Sequence, residues 1–160
     1  MMRLEIFDNL LSEGEYKTLS QFMLGHDIPW SYSNGVNMPE DGYYQFTHVF
    51  YNNFEPQSKY FGVLSPILKQ IDPVALVRIK ANLNMQTPQL DRYEYHNDVD
   101  DCITAIYYVN TNNGTTKFKS GKEVESVANR LIIFNSNELH AGSSCTDEHR
   151  RCLINFNYFI

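Results

Sequence analysis

With 160 residues, 42% hydrophobic and 20% charged, the chain is large enough for one continuous core and too apolar to be disordered. Its net charge of −6, from 13 Lys and Arg against 19 Asp and Glu, argues against a nucleic-acid binder. Cys102, Cys145 and Cys152 show no C-x-x-C spacing and form neither a zinc framework nor a disulfide set; free thiols suit a reducing compartment. The opening residues lack the apolar region of a secretory signal, and no apolar run is long enough to span a membrane. The expectation is a single domain over residues 1–160, cytoplasmic, with no membrane or nucleic-acid partner. Eleven Tyr and ten Phe favour a β-rich fold, because aromatics pack well on pleated surfaces.

In chain order, Leu4–Phe7 reads as a short opening strand. Ser12 and Glu15 form an S-x-x-E capping box, Tyr16, Leu19, Phe22 and Met23 recur at helical spacing, and Gly25 is a C-terminal stop. The spacing predicts a helix over 13–24 with its aromatic and Met stripe on the core. Ile28–Tyr32 reads as a strand entering the core, and Ser33–Gly42 as a loop marked by Asn34-Gly35, Pro39 and Asp41-Gly42. Phe46–Tyr51 alternates as a strand in which His48 is a packing residue. A second helix over 57–71 follows, kinked or restarted at Pro66 with Ser65 as its N-cap, and ended by Asp72-Pro73.

From Val77 onward the chain is a run of short strands: 77–84, 90–95, 103–109, 115–118, 123–127, 130–134, 139–142 and 151–159. Met85–Gln89 is a loop, and Asn113-Gly114 carries a strong hairpin-turn signal. Short strands at this spacing mean an antiparallel sandwich or barrel. Both Ser33–Gly42 and Met85–Gln89 are expected to flank the site as lids.

The chemistry concentrates in His96-Asn97-Asp98, at what reads as a strand end. A His-x-Asp pair there can chelate one metal ion, and His140, 42 residues beyond Asp98, supplies a third ligand from a neighbouring strand. Three such ligands occupy one face of an octahedron and leave the other open. Taken alone, a His-x-Asp is more often a surface histidine beside an acidic loop, here with Asp100 and Asp101. Order and context favour the metal: Arg150-Arg151 follow His140 by ten and eleven residues and open the last strand. Alternation puts Arg151 on one face with Leu153, Asn155 and Asn157, and Arg150 on the other with Cys152, Ile154 and Phe156.

These residues, with Thr104–Asn110, Asn113-Gly114, Asn129–Phe134 and Arg151–Phe159, resemble the iron(II)- and 2-oxoglutarate-dependent dioxygenases, specifically their prolyl-4-hydroxylase-like branch. The likeness covers residues 77–159. It implies a mainly β (α+β) fold: a double-stranded β-helix, or jelly roll, forming a catalytic core over 77–160, with two supporting N-terminal helices within residues 1–76. It implies Fe(II), 2-oxoglutarate and O2, with ascorbate as a candidate reductant. The iron ligands would be His96, Asp98 and His140. Arg151, preferred over Arg150, would pair with the distal carboxylate of 2-oxoglutarate, the bidentate task for which guanidinium is suited. Tyr108 matches a tyrosine sharing that carboxylate; Thr104 and Ile106 on its strand face, and Thr116 from the next strand, would line the pocket. Asn84 or Asn82 stands where the branch carries an aromatic. The second arginine of the DNA-repair branch is replaced by Asn157, and Asp98 keeps the carboxylate that the halogenating branch lacks.

The activity implied is hydroxylation of a C–H bond, in a prolyl residue of a peptide or protein, with release of succinate and CO2. The alternatives are an oxygenase acting on a small molecule and a non-catalytic jelly-roll binding module.

Overall fold

In the structure, a computed structural model that describes residues 3–160, the first strand is β1 (Glu5–Phe7). The capping box then forms. Ser12 Oγ accepts from the Glu15 N–H at 3.3 Å, and the Glu15 carboxylate accepts from the Ser12 N–H at 3.1 Å. Helix α1 (Glu13–Leu24) buries Leu19 and Met23 against the sheet. It stops at Gly25, but not through the left-handed conformation usual there: φ is −90°. Glycine is needed because a Cβ would lie 2.5 Å from the Gln21 carbonyl oxygen.

β2 (Ser31–Ser33) is an exposed edge strand rather than the core strand expected over Ile28–Tyr32. Pro29 has no N–H to give a ladder, so pairing begins only beyond it. β3 (Gln45–Asn52) and β4 (Glu55–Pro56) follow. His48 packs as expected, its ring nitrogens bonded to the Pro29 carbonyl and Ser58 hydroxyl at 2.8 Å each. The second helix is shorter than its apolar pattern suggests: a 3-10 turn over Phe61–Leu64 leads into α2 (Ser65–Ile71). Pro66 resets the hydrogen-bond ladder. Ser65 is therefore the first helical residue, not the cap, and its hydroxyl donates back to Gly62 O.

The rest is β5 (Ala75–Met85), β6 (Ile103–Tyr108), β7 (Asn112–Phe118), β8 (Glu123–Ser126), β9 (Arg130–Asn135), β10 (His140–Ala141) and β11 (Arg150–Phe159). An eight-stranded antiparallel sheet runs β1-β9-β6-β11-β5-β3-β2, with β4 on β3; a smaller sheet runs β10-β7-β8. Two sheets closed over a common interior make the jelly roll, with both helices on the outer face of the larger one.

Alternation assigns each face. Ile79, Ala81 and Leu83 of β5, Ala105 and Tyr107 of β6, and Cys152, Ile154 and Phe156 of β11 pack outward against the helices in the main core. Their neighbours point between the sheets. Half of that interior is apolar, built from Ile106, Tyr108, Phe118, Val124, Ile132, Phe134 and Leu153. The half along β5 and β11 is polar, with Lys80, Asn82, Asn84, Arg151 and Asn155 lining a cavity. All three cysteines are buried and unpaired. Among the described residues no helix is long and apolar enough to cross a membrane.

Two polar contacts tie the N-terminal segment to the roll. Arg130 grips Asp8 with two hydrogen bonds, Nε to Oδ1 at 2.6 Å and the second nitrogen to Oδ2 at 3.1 Å. Asn129, 7% exposed and left-handed at φ 61°, bonds both Leu11 backbone groups and accepts from the Tyr107 hydroxyl at 2.9 Å. Asparagine tolerates that backbone where alanine does not. Asn129→Ala leaves three buried groups without partners and should lower unfolding free energy by about 3 kcal/mol. Denaturant unfolding at constant m-value tests this; a loss under about 1 kcal/mol would show that the tether is dispensable.

Candidate metal centre

The segment 90–96, expected as a strand, joins the smaller sheet only through single bridges, Arg92 to Ser143 and His96 to His140. Between those bridges four steps of one chain face three of the other, so the segment carries an extra residue in the manner of a bulge. A side-chain bond supplements the irregular backbone pairing: Tyr93 N–H donates to Gly142 O at 3.1 Å and Ser144 N–H to Asp91 O at 2.9 Å, while Ser144 Oγ accepts from the Asp91 N–H at 2.8 Å. The bulge turns both Tyr93 and His96 into the cavity, although regular alternation would put residues three apart on opposite faces.

His96 and His140 are locked together by reciprocal backbone hydrogen bonds of 2.9 and 3.0 Å, with ring centroids 4.8 Å apart. Each Nδ1 meets a backbone carbonyl, Glu94 O at 3.2 Å and Glu138 O at 3.1 Å. Those contacts fix the tautomer and leave each Nε2 as a free donor atom. Both Nε2 atoms face Asp98, at 3.6 Å from Oδ1 for His96 and 4.0 Å from Oδ2 for His140. One ligand atom from each residue falls within 4.8 Å of the others. Asp98 Oδ2 is buried without a hydrogen bond, as a carboxylate reserved for a cation would be.

Electrostatics separates the two imidazoles. Burial favours the neutral form of both. At His96 the adjacent Asp98 carboxylate outweighs burial and raises its pKa; at His140 burial prevails and lowers it. Burial also opposes ionisation of Asp98, but His96, Arg78 and His140 hold its pKa below the ordinary range. Arg78 reaches Asp98 at 3.2 Å.

At the other end of the cavity lies Arg151, 2% exposed. Its guanidinium meets only neutral oxygens: Ser126 Oγ at 2.9 Å, Thr116 Oγ1 at 3.2 Å and Ser143 O at 3.4 Å. It lies 5.8 Å from the Tyr108 ring centroid, and no carboxylate among the described residues pairs with it. Arg150 faces away from the cavity and donates to Leu24 O at 2.6 Å, capping the C-terminus of α1. The Asn113-Gly114 pair is not a turn but lies inside β7. A Cβ on Gly114 would stand 2.5 Å from Arg151 Cδ and 2.7 Å from Ser144 O, so this glycine makes room for the arginine.

His96, Asp98, His140, Arg151, Ile106, Thr116, Asn84 and Asn82 thus share one cavity. Thr104 and Tyr108 do not line it. Thr104 is buried against Asn157, and the Tyr108 hydroxyl donates to Thr116 Oγ1 at 2.7 Å, behind the lining. The sequence reading missed Tyr93, whose phenol burial pushes up, and also Lys80, Asn155, Val36 and Asn37. The Ser33–Gly42 loop borders the cavity through Val36 and Asn37, and Asn37 Nδ2 donates to Glu94 O at 2.6 Å. Met85–Gln89 does not; Thr87 turns instead to Ser144.

No family model matches the chain, and no curated protein does. Solved structures do. The chain is similar to a prolyl hydroxylase from Trichoplax adhaerens, solved in complex with a hypoxia inducible factor oxygen degradation domain peptide fragment. The TM-score is 0.66 at 15% identity, covering 98% of this chain and 83% of that one. It is similar to the epimerase SnoN in complex with Fe3+, alpha ketoglutarate and nogalamycin RO, with TM-score 0.68, 10% identity, and 98% and 78% covered. It is similar to HygX from Streptomyces hygroscopicus with nickel and 2-oxoglutarate bound, with TM-score 0.65, 10% identity, and 98% and 82% covered. These likenesses establish the fold: the jelly roll found in 2-oxoglutarate-dependent oxygenases.

Gly114→Ala should displace the Arg151 side chain and lower stability by about 2 kcal/mol, the usual cost of overpacking. Gly62→Ala, where a Cβ meets nothing within 4 Å, is the neutral control. Equal melting temperatures for the two variants would show that the close approach at Gly114 is not needed.

Proposed function

We propose that the protein is an Fe(II)- and 2-oxoglutarate-dependent oxygenase that hydroxylates a C–H bond with release of succinate and CO2. The observation carrying this reading is Arg151: a buried cation with no counter-ion, in the same cavity as a two-histidine, one-carboxylate cluster. Burying an unpaired charge costs several kcal/mol, so the site is built for an anion.

His96, Asp98 and His140 would hold the iron. The fit rests on their free Nε2 atoms and the unpartnered Asp98 Oδ2. When bound, iron together with 2-oxoglutarate and dioxygen supplies the oxidising power needed to break an unactivated C–H bond. This chain's residues bind and orient. Of the five guanidinium N–H donors of Arg151, three are engaged by Ser126, Thr116 and Ser143, leaving the others for the distal carboxylate of 2-oxoglutarate. Tyr93 takes the part expected of Tyr108: it lines the cavity, and its hydroxyl has no hydrogen-bond partner among the described residues. Arg78 steadies Asp98, and Val36, Ile106 and Leu153 narrow the water-accessible space.

For substrate, the sequence resemblance favours a prolyl residue in a peptide or protein, and the peptide complex of the Trichoplax adhaerens enzyme supports that class. The cavity opens beside the Ser33–Gly42 loop, where an extended chain can enter.

Anaerobic addition of Fe(II) and then 2-oxoglutarate to metal-free protein should produce the weak visible charge-transfer band of the chelated keto acid. His96→Ala should abolish the band. Arg151→Met should weaken 2-oxoglutarate binding by about tenfold to a hundredfold, the value of a charge-assisted hydrogen-bonded contact. A folded wild-type protein with no band would overturn the proposal.

A further inference from the structure

The inward face of β5 presents a row of four polar residues: Arg78, Lys80, Asn82 and Asn84. Three have assigned contacts or neighbours. Arg78 pairs with Asp98, Asn84 bonds Gln45, and Asn82 lies between. Lys80 is half-buried and takes part in none of the ion pairs among the described residues. Its cross-strand partner is Asn155 of β11. Asn82 and Asn155 are 8% and 7% exposed, and the Oδ1 atom of each is buried with no partner. Their amides make no hydrogen bond among the described residues, and either end of an amide can be turned toward a ligand.

We propose that Lys80, flanked by Asn82 and Asn155, is a seat for a carboxylate of the primary substrate. The inference rests on the oxygenase reading and adds a substrate class to it. A carboxylate oxygen accepts from an ammonium and from amide N–H2 groups at once, so with the two amides turned N–H2 inward it gives all three side chains an acceptor for their N–H donors. The same anion cannot be the one held by Arg151. Asn84 lies opposite Arg151 and Lys80 opposite Asn155, four residues or roughly 13 Å further along the strands. Lys80 instead lines the metal cavity together with His96, Asp98 and His140, and it is close enough to feel the charges of Arg78 and Asp98, so it belongs to the metal end, where the carbon to be attacked must lie. It also stands on the threshold between the metal cavity and the adjoining groove under residues 33–39, since it lines both. A substrate entering there meets the lysine before the metal. The carboxylate therefore sits a few bonds from the reacting carbon. It comes either from a free acid, an amino or imino acid, or from the end or an acidic side chain of a peptide.

The test is calorimetric titration of the protein loaded anaerobically with Fe(II) and 2-oxoglutarate. The probes are matched pairs: free amino and imino acids, L-proline first, against their carboxamides, and short N-acylated peptides with a free or an amidated C-terminus. At least one carboxylate should bind tenfold or more tighter than its amide. Lys80→Met should erase that preference, Lys80→Arg retain most of it, and Asn155→Ala reduce it, with 2-oxoglutarate affinity within about twofold throughout. The free acids and the peptides identify the source of the carboxylate. No carboxylate preference in the wild type, or a preference that survives Lys80→Met, overturns the proposal. So does a tenfold loss of 2-oxoglutarate affinity in Lys80→Met, which would assign the lysine to the cosubstrate. Absence of the visible band in the wild type sinks the oxygenase reading by itself, while a carboxylate preference that depends on Lys80 would then stand alone.

Discussion

A guanidinium is held out of water in this protein with no negative charge beside it. That constraint organises one end of the interior. Several kcal/mol of desolvation are offset only in part by three neutral oxygens and the face of Tyr108. Each of those groups comes from a different element: Thr116 from β7, Ser126 from β8, Ser143 from the chain after β10, and Tyr108 from β6. Gly114 must be without a side chain, and at Gly142 a Cβ would stand 3.4 Å from an Arg151 nitrogen and 3.6 Å from Tyr93. The smaller sheet is thus shaped around one arginine. What remains unsatisfied in the folded state is available as binding energy to an anion, because whatever binds only the native form stabilises it.

The metal end reverses the sign. Here a carboxylate is over-provided with positive or protonatable neighbours, two imidazoles and Arg78, and still keeps one oxygen free. The two ends are joined by β5 and β11, whose inward residues are polar apart from Leu153, while β6 and β9 fill the other half of the interior with apolar side chains. The cavity survives because the interior polar row cannot close on itself: Asn82 and Asn155 have unpaired oxygens, where aliphatic residues would pack and fill the space.

How much of this was legible from sequence depended on whether the signal was local. The capping box and the Leu19 and Met23 spacing fixed α1, because both act within a few residues. Apolar, β-branched and aromatic runs between turn signals marked β5, β6, β9 and β11; alternation put Arg150 and Arg151 on opposite faces, and the resemblance chose Arg151, which does face the cavity. Where the chain departs from its period, the reading slipped. The bulge before His96 turns Tyr93 inward, and nothing short of the pairing register shows it. Asn113-Gly114 imitates a hairpin turn because glycine suits both a turn and a close packing contact; only Arg151, 37 residues on, distinguishes them. Lys80 carried no signal of its own, since alternation reports that two faces differ but not that both are covered.

The ligand set is also mechanically uneven, and the cause lies in what each residue packs against. The ring of His140 has Phe134 edge-on at 5.0 Å and Phe118 at 6.2 Å, and its side chain is 4% exposed. Its position is fixed by the apolar half of the interior before any ion arrives. His96 has no aromatic neighbour except His140, its side chain is 29% exposed, and it stands on an irregular segment held by single bridges. Asp98 lies between them at 10%. A cation therefore meets a fixed imidazole, a carboxylate steadied by one arginine, and an imidazole that can still adjust. Rigid support on one side would give a metal site its precision, and slack on the other would let an ion enter. On the oxygenase reading, the same asymmetry makes the His96 side, next to Lys80 and the groove under residues 33–39, the side from which a substrate would approach.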